Sequence, residues 1–197
     1  MKFIVASGNM GKIREFKELL NIDFIPYKDI LGDIEIEESG ESFKENALIK
    51  AREVYKRVGE GSIIISDDSG LSVPLLNGEP NIYSARYAGE NASDRDNLEK
   101  LIGKLKDRGV KKSKAYYTAS IAIVGDLGEY TVHGWCFGSV IDSPRGQNGF
   151  GYDPIFIPYG YEKTFGELDK KVKKAISHRA KALENIKSII QMLISYS

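Results

Sequence analysis

Two short, strongly apolar runs, each ending in a polar stretch that contains glycine, constrain the fold of this chain more than anything else in it. Phe3 to Ala6 leads into Ser7-Gly8-Asn9, and Ile63-Ile64-Ile65 leads into Ser66-Asp67-Asp68-Ser69-Gly70. Uninterrupted apolar runs of this length suit strands covered on both faces. After the first, Ile13, Phe16, Leu19 and Leu20 recur at helical spacing, so the chain opens as strand, tight turn, helix. A strand of that kind needs helices on both sides of its sheet.

The rest of the chain keeps the alternation. Ser42-Phe43-Lys44-Glu45 has the spacing of a capping box, and Phe43, Ala47, Ala51, Val54 and Val58 form one helical stripe behind it. A further helix starts near Ser93, with Leu98, Leu101, Ile102 and Leu105 facing inward. Ala115 to Val124 and about Glu129 to Ile141 alternate like an antiparallel pair joined at Gly125-Asp126-Leu127-Gly128. Ser177 can cap a last helix carrying Leu183, Ile186, Ile190 and Leu193. The expected fold is α/β: a mixed, twisted sheet with flanking helices. No linker is long enough to separate domains, so residues 1–197 read as a single domain.

Composition removes several function classes. Among the 197 residues, 28 Lys plus Arg balance 28 Asp plus Glu. A net charge of zero draws the protein neither to nucleic acid nor to an anionic membrane, so phosphate binding would need a local cation cluster or a metal. Cys136 is the single cysteine, which excludes an internal disulfide and a zinc site of paired thiols. Met1 to Ala6 is too short and too soon polar for a signal peptide, and no run approaches the roughly 20 apolar residues of a membrane span. The expectation is a cytoplasmic protein.

Five segments carry candidate chemistry. Ser7-Gly8-Asn9-Met10-Gly11-Lys12 puts a glycine-bearing turn and a lysine at a helix N-terminus, where N–H groups and the dipole favour phosphate. It is not a Walker A loop, because Ala6 and Ile13 replace the glycine and the hydroxyl residue that motif needs. Asp67-Asp68 after an apolar strand can hold Mg²⁺ or orient a water. Side chains alternate along a strand, so one of the two is expected to reach the site. The acidic stretch Glu35 to Glu41 could add a carboxylate, with nothing local to pick which. Gly149-Phe150-Gly151-Tyr152-Asp153-Pro154 lets backbone approach a flat ligand while the ring stacks on it. In Lys173-Lys174-Ala175-Ile176-Ser177-His178-Arg179, the last two residues fall in a helix's first turn. Cations there oppose the dipole and imply an anionic or acceptor-rich partner. His133 lies within a predicted strand and reads as structural.

Together these blocks resemble the inosine triphosphate pyrophosphatase family. The resemblance also takes in Glu38-Ser39-Gly40 with Phe43 and Lys50, Tyr83 to Tyr87 and Phe165-Gly166-Glu167, in family order and over nearly the whole chain. It implies two lobes around a central nucleotide-binding cleft, usually in a homodimer. The implied reaction cleaves ITP, dITP or XTP between the α- and β-phosphates, with Mg²⁺ as cofactor. By motif position, Ser7, Gly8, Asn9, Met10, Gly11 and Lys12 meet the triphosphate. Asp68 is the general base, and Glu38 with Asp68 forms the metal site. Ser69 assists binding, Phe150 stacks on the base, and Gly151, Tyr152, Asp153, Lys173, His178 and Arg179 complete the pocket. A nucleotide-binding module without catalysis would not need Asp67-Asp68 and Glu38. Against a Maf-like pyrophosphatase, which prefers pyrimidine or methylated nucleotides, the Ser177-His178-Arg179 block and the Phe150 motif favour the purine reading.

Overall fold

The computed structural model describes residues 2–196. Its strands are β1 (Lys2–Val5), β2 (Ile25–Pro26), β3 (Ser62–Ser72), β4 (Lys112–Gly125), β5 (Gly128–Ile141) and β6 (Phe156–Pro158). Its helices are α1 (Met10–Leu20), α2 (Lys28–Leu31), α3 (Phe43–Val58), α4 (Asp94–Asp107), α5 (Lys170–Ile176) and α6 (His178–Ser195). The six strands form one sheet in the order β2-β1-β3-β4-β5-β6. β1 is parallel to β2 and β3, whereas β5 and β6 are antiparallel, so the expected mixed sheet is present. Asp126-Leu127 joins β4 to β5 as a two-residue hairpin loop, at the place the alternation indicated. Among the described residues, no helix is long and apolar enough to cross a membrane.

The chain forms two compact units. Among the described residues, the first comprises 2–68, 119–134 and 179–196, and the second 69–118 and 135–178. In the first unit, side-chain alternation sorts the core into two layers. Val5, Ile63 and Ile65 pack with Ile13 and Phe16 of α1 and with Leu183 and Ile186 of α6. Ile4, Ala6 and Ile64, one residue out of step, pack with Ala47, Ala51 and Val54 of α3. Period two on the strands and period 3.6 on the helices therefore meet on both faces. The second unit has its own core, in which Leu71, Leu101, Leu105, Ile155, Phe156 and Phe165 are fully buried.

Helix ends follow local chemistry. Asn9 caps α1 by accepting from the Gly11 and Lys12 N–H groups, and Asn21 ends the helix in the left-handed region at φ 53°. Ser93 and Asp96 form a reciprocal capping box at α4. The box expected at Ser42 is only half made. Ser42 Oγ accepts from Glu45 N–H, but the Glu45 carboxylate turns to the Glu41 N–H instead. Ser177 sits between α5 and α6 with extended backbone, the geometry of an N-cap residue. α5 itself, capped by Asp169, is too short to leave a periodic signal.

One expectation needs correcting. Ser66 to Gly70 read as a turn that ends the second apolar strand, whereas β3 continues through them to Ser72. β3 lies between β1 and β4, and its polar side chains find partners, so the backbone has no reason to leave the sheet.

Ile64 is fully buried in the α3-facing layer. Ile64→Ala should cost about 2–5 kcal/mol, read as a lower urea midpoint with an unchanged m-value. An unchanged midpoint would contradict this packing.

Candidate active site

The site grows from the place where β1 stops and β3 does not. The β1–β3 ladder ends at Val5 opposite Ile65, with one more bond from Ala6 N–H to Ile65 O at 2.7 Å. Chain order moves outward from β1 to β2 and then returns to β3 on the other side of β1. Such a reversal marks the strand ends at which open α/β sheets bind ligands. Ser7 to Asn9, Asp67 and Asp68 all lie there.

Alternation sends the two carboxylates to different partners. Asp67 continues the layer of Ile63 and Ile65, toward α1 and α6. Its Oδ1 lies 2.7 Å from Lys12 Nζ, and its Oδ2 accepts from Arg179 Nε at 3.1 Å. Arg179 Nη1 also donates to Glu15 Oε2 at 2.5 Å. Both Asp67 and Arg179 are almost wholly buried, at 1% and 2% exposure. Burial alone would raise the Asp67 pKa, but the charges of Arg179 and Lys12 outweigh it and hold the carboxyl well below the usual range. Burial pulls the Lys12 pKa down, against the attraction of Asp67 and with the repulsion of Lys50 and Arg179.

Asp68 continues the layer of Ile64, toward α3. Asn46 Nδ2 donates to its Oδ2 at 3.3 Å, and Lys50 Nζ lies 3.6 Å from its Oδ1. These contacts are longer than those of Asp67. Burial raises the Asp68 pKa above its ordinary value, more than Lys50 and Lys12 lower it. Lys50 also lies 3.1 Å from Glu38 Oε1. Although burial disfavours its charge, Asp68 and Glu38 keep its pKa raised. Asn46 Oδ1 accepts from Gly40 N–H at 2.8 Å, so one side chain ties the acidic stretch to α3 and brings Glu38 to Lys50. A Cβ on Gly40 would stand 2.7 Å from Asn46 Oδ1, so this close approach needs glycine. Glu38 is thus the member of the acidic stretch that meets Lys50.

Glu38 and Asp68 therefore aim carboxylate oxygens at one cation, the Lys50 ammonium. Two hard oxygen donors fit Mg²⁺, which usually takes one or two carboxylates and completes its shell with water and substrate phosphates. Among the described residues, no group of three or more His, Cys, Asp and Glu could hold a metal.

The turn before α1 is more committed than expected. Asn9 Oδ1 accepts from Gly11 and Lys12 N–H at 2.9 and 3.1 Å, and Ser7 Oγ accepts from Asn9 N–H at 3.2 Å. Gly8, Asn9 and Met10 are exposed. Ser69 follows Asp68 in β3 and is half-buried.

The second unit holds the aromatic part. Asp153 Oδ2 accepts from Phe150 N–H at 2.8 Å and from Lys173 Nζ at 2.6 Å. Lys173 Nζ also lies 4.8 Å from the Phe150 ring centroid, a cation–π contact. Gly149 has φ 83°, and a Cβ there would stand 1.9 Å from Asp153 Oδ2, so both backbone and space require glycine. Tyr152 donates its hydroxyl to Ser84 O at 2.8 Å. His178 is buried, with its ring stacked on Tyr117 at 4.6 Å and 7°.

Residues 3–189 match the model of the Ham1 family. The chain belongs to the Ham1 family. A dITP/XTP pyrophosphatase of Sulfurovum sp. (strain NBC37-1) is 58% identical over 198 aligned residues, covering 98% of this chain and 95% of that relative. A HAM1 protein from Coxiella burnetii has a similar structure, with TM-score 0.88, 38% identity and coverage of 98% of this chain and 99% of that one. The Staphylococcus aureus Ham1 protein is similar at TM-score 0.86 and 39% identity, covering 97% and 98% respectively. Ham1 membership bears out the resemblance drawn from the ordered motifs.

Asn46, Glu15 and Tyr117 stood outside the residues picked from sequence, and Lys50 entered only as part of a family motif. The signal for two of them was present. Asn46 and Lys50 fall at the same spacing as Phe43, Ala47, Ala51 and Val54, so two polar residues interrupt an apolar stripe. A buried Asn and a half-buried Lys on the core face of a helix need partners there. Glu15 and Tyr117 left no comparable trace.

Removing one member of a buried ion pair strands the other's charge. Arg179→Ala should therefore destabilise the protein by roughly 3–5 kcal/mol, read as a marked drop in the thermal midpoint. A midpoint within about 2 °C of wild type, worth under 1 kcal/mol at this size, would contradict the role of Arg179 as partner to Asp67 and Glu15.

Proposed function

We propose that the chain is a nucleoside triphosphate pyrophosphatase that cleaves deaminated purine triphosphates (ITP, dITP and XTP) to the monophosphate and pyrophosphate. The observation that carries this reading is the pair of adjacent carboxylates with divided partners. Asp67 is locked between the half-buried Lys12 and the buried Arg179, while Asp68 faces Lys50 and Glu38. The names of similar proteins support the same reaction.

The chemistry follows from the residues. A triphosphate brings several negative charges into the crevice, and Lys12 and Lys50 offset them. Asn9 already holds two amides of the α1 turn, so the turn's contribution rests more on Ser7, Gly8 and Met10 than on the Gly11 and Lys12 amides. Glu38 and Asp68 would hold Mg²⁺, which, when bound, neutralises phosphate charge and acidifies a water. Asp68 accepts the proton of the attacking water. The water oxygen bonds to the α-phosphorus, the bond from that phosphorus to the α–β bridging oxygen breaks, and pyrophosphate departs with the electron pair. Asp67 stays ionised and keeps Lys12 and Arg179 in place. No covalent intermediate is required.

Phe150 provides a face for the base, with Gly151, Tyr152, Asp153 and Lys173 holding its loop, and Ser69 adds a hydroxyl. A donor from His178 at the base edge would suit a 6-oxo group and leave adenine's 6-amino group facing another donor, at about 1–3 kcal/mol for the unpaired group. The enzyme in this reading works as a homodimer on the cytoplasmic nucleotide pool. Balanced net charge and a single cysteine support that setting.

The test is to incubate the protein with Mg²⁺ and dITP, dGTP, dATP or dTTP, and to assay pyrophosphate and orthophosphate separately. The expected result is pyrophosphate with dIMP, and kcat/KM for dITP at least about tenfold above that for dATP, the scale of one mispaired buried group. Orthophosphate and dIDP as first products would overturn the assignment.

A further inference from the structure

The Phe150 loop has an anchor that the reaction scheme has not used. Asp94 is the first residue of α4, and its Oδ2 accepts from Gly151 N–H at 2.8 Å. The preceding amide, Phe150 N–H, is held by Asp153 Oδ2 at the same distance. These two N–H groups belong to the peptide planes on either side of the Phe150 Cα. Holding both planes fixes φ and ψ of Phe150, and with them the direction of its Cα–Cβ bond. Two carboxylates thus aim one aromatic ring.

Asp94 is not needed to start its own helix. Ser93 and Asp96 already make the capping box of α4 from both sides. An acid in the first turn does favour the helix dipole, but Asp96 supplies that as well. The carboxylate of Asp94 instead reaches 57 residues along the chain to a loop amide. Gly151 has φ 60°, in the left-handed region that glycine enters freely, so the bond from Asp94 selects one among several conformations open to this position. Carboxylates make strong acceptors for backbone N–H, stronger than a neutral oxygen.

We infer that Asp94 is a positioning residue for base recognition: through Gly151 it sets the orientation in which Phe150 meets the purine. The inference rests on the proposed function, in which Phe150 stacks on the base. Asp94 does not touch the reacting phosphates, so its loss should act on substrate affinity and not on the chemical step. Asp153 supplies the other half of the device through the Phe150 N–H.

The experiment is a double-mutant cycle on the full-length protein with dITP and Mg²⁺, using Asp94→Ala, Phe150→Ala and the double variant. Asp94→Ala should raise KM roughly tenfold, the scale of a lost bond to a charged group, with kcat within about threefold of wild type. Asp94→Asn keeps an oxygen acceptor and should recover most of that loss. In the Phe150→Ala background, Asp94→Ala should change KM less than twofold, because the ring it aims is gone. Thermal midpoints within about 3 °C of wild type, under about 1.5 kcal/mol at this size, show that all variants fold. An unchanged KM in Asp94→Ala, or a full tenfold effect that persists without Phe150, would overturn the inference. A wild-type protein that releases no pyrophosphate from dITP would defeat the proposed function instead, and the two failures are read in separate lanes.

Discussion

A carboxylate with 1% exposure belongs to this protein's first unit, and the site is arranged around keeping it charged. Burying an ion costs several kcal/mol unless partners of opposite charge and good geometry offset the loss of water. Asp67 has two such partners, Lys12 from α1 and Arg179 from α6, and Glu15 binds the far side of Arg179. The cluster ties a strand to two helices that lie far apart in sequence. It also fixes the first turn of α1, and hence the Ser7-Gly8-Asn9 turn that precedes it. The unfavourable placement of a cation in the first turn of α6 is thereby explained. Arg179 opposes the dipole of its own helix but answers two carboxylates.

The second consequence is a division of roles between neighbours in sequence. A strand turns consecutive side chains to opposite faces, so Asp67 and Asp68 cannot share an environment even though they share a peptide bond. One faces a layer that supplies two cations at close range. The other faces α3, where Asn46 and Lys50 make longer contacts and burial lifts its pKa. Pairs of titratable groups pushed apart in this way separate the anchor from the base in many active sites. The longer reach of Lys50, shared between Asp68 and Glu38, also draws the acidic stretch into the site.

Much of this was legible in the sequence, and the parts that were not share a cause. The strand-turn-helix opening, the α3 stripe, the Ser93 cap and the β4–β5 hairpin all rest on local periodicity and turn chemistry, which a sequence displays directly. The course of β3 was misread because Ser66-Asp67-Asp68-Ser69-Gly70 has the composition of a turn. What keeps those residues extended is a set of partners from α1, α3 and α6, and tertiary pairing overrides local preference there. The Glu45 carboxylate departs from its spacing locally, bonding the Glu41 N–H four residues back. The choice of Glu38 from the acidic stretch depends on Asn46, six residues beyond Gly40 and on the helix. α5, with seven residues, is shorter than two helical turns and cannot show a period. The partners of Arg179 lie 112 and 164 residues away, which no local pattern encodes.

The central claim is that the two neighbouring carboxylates differ in kind, and the most direct measurement is a crossed comparison of Asp67→Asn and Asp68→Asn for both kcat and thermal midpoint. Each change removes a charge and keeps the shape. The account predicts that Asp68→Asn loses at least about a hundredfold in kcat, the scale of a general base, with a midpoint close to wild type. Asp67→Asn should instead lower the midpoint markedly, because Lys12 and Arg179 lose their common partner, while retaining far more of kcat at a temperature where it is folded. A near-normal kcat for Asp68→Asn, or the reverse pattern in the pair, would contradict it.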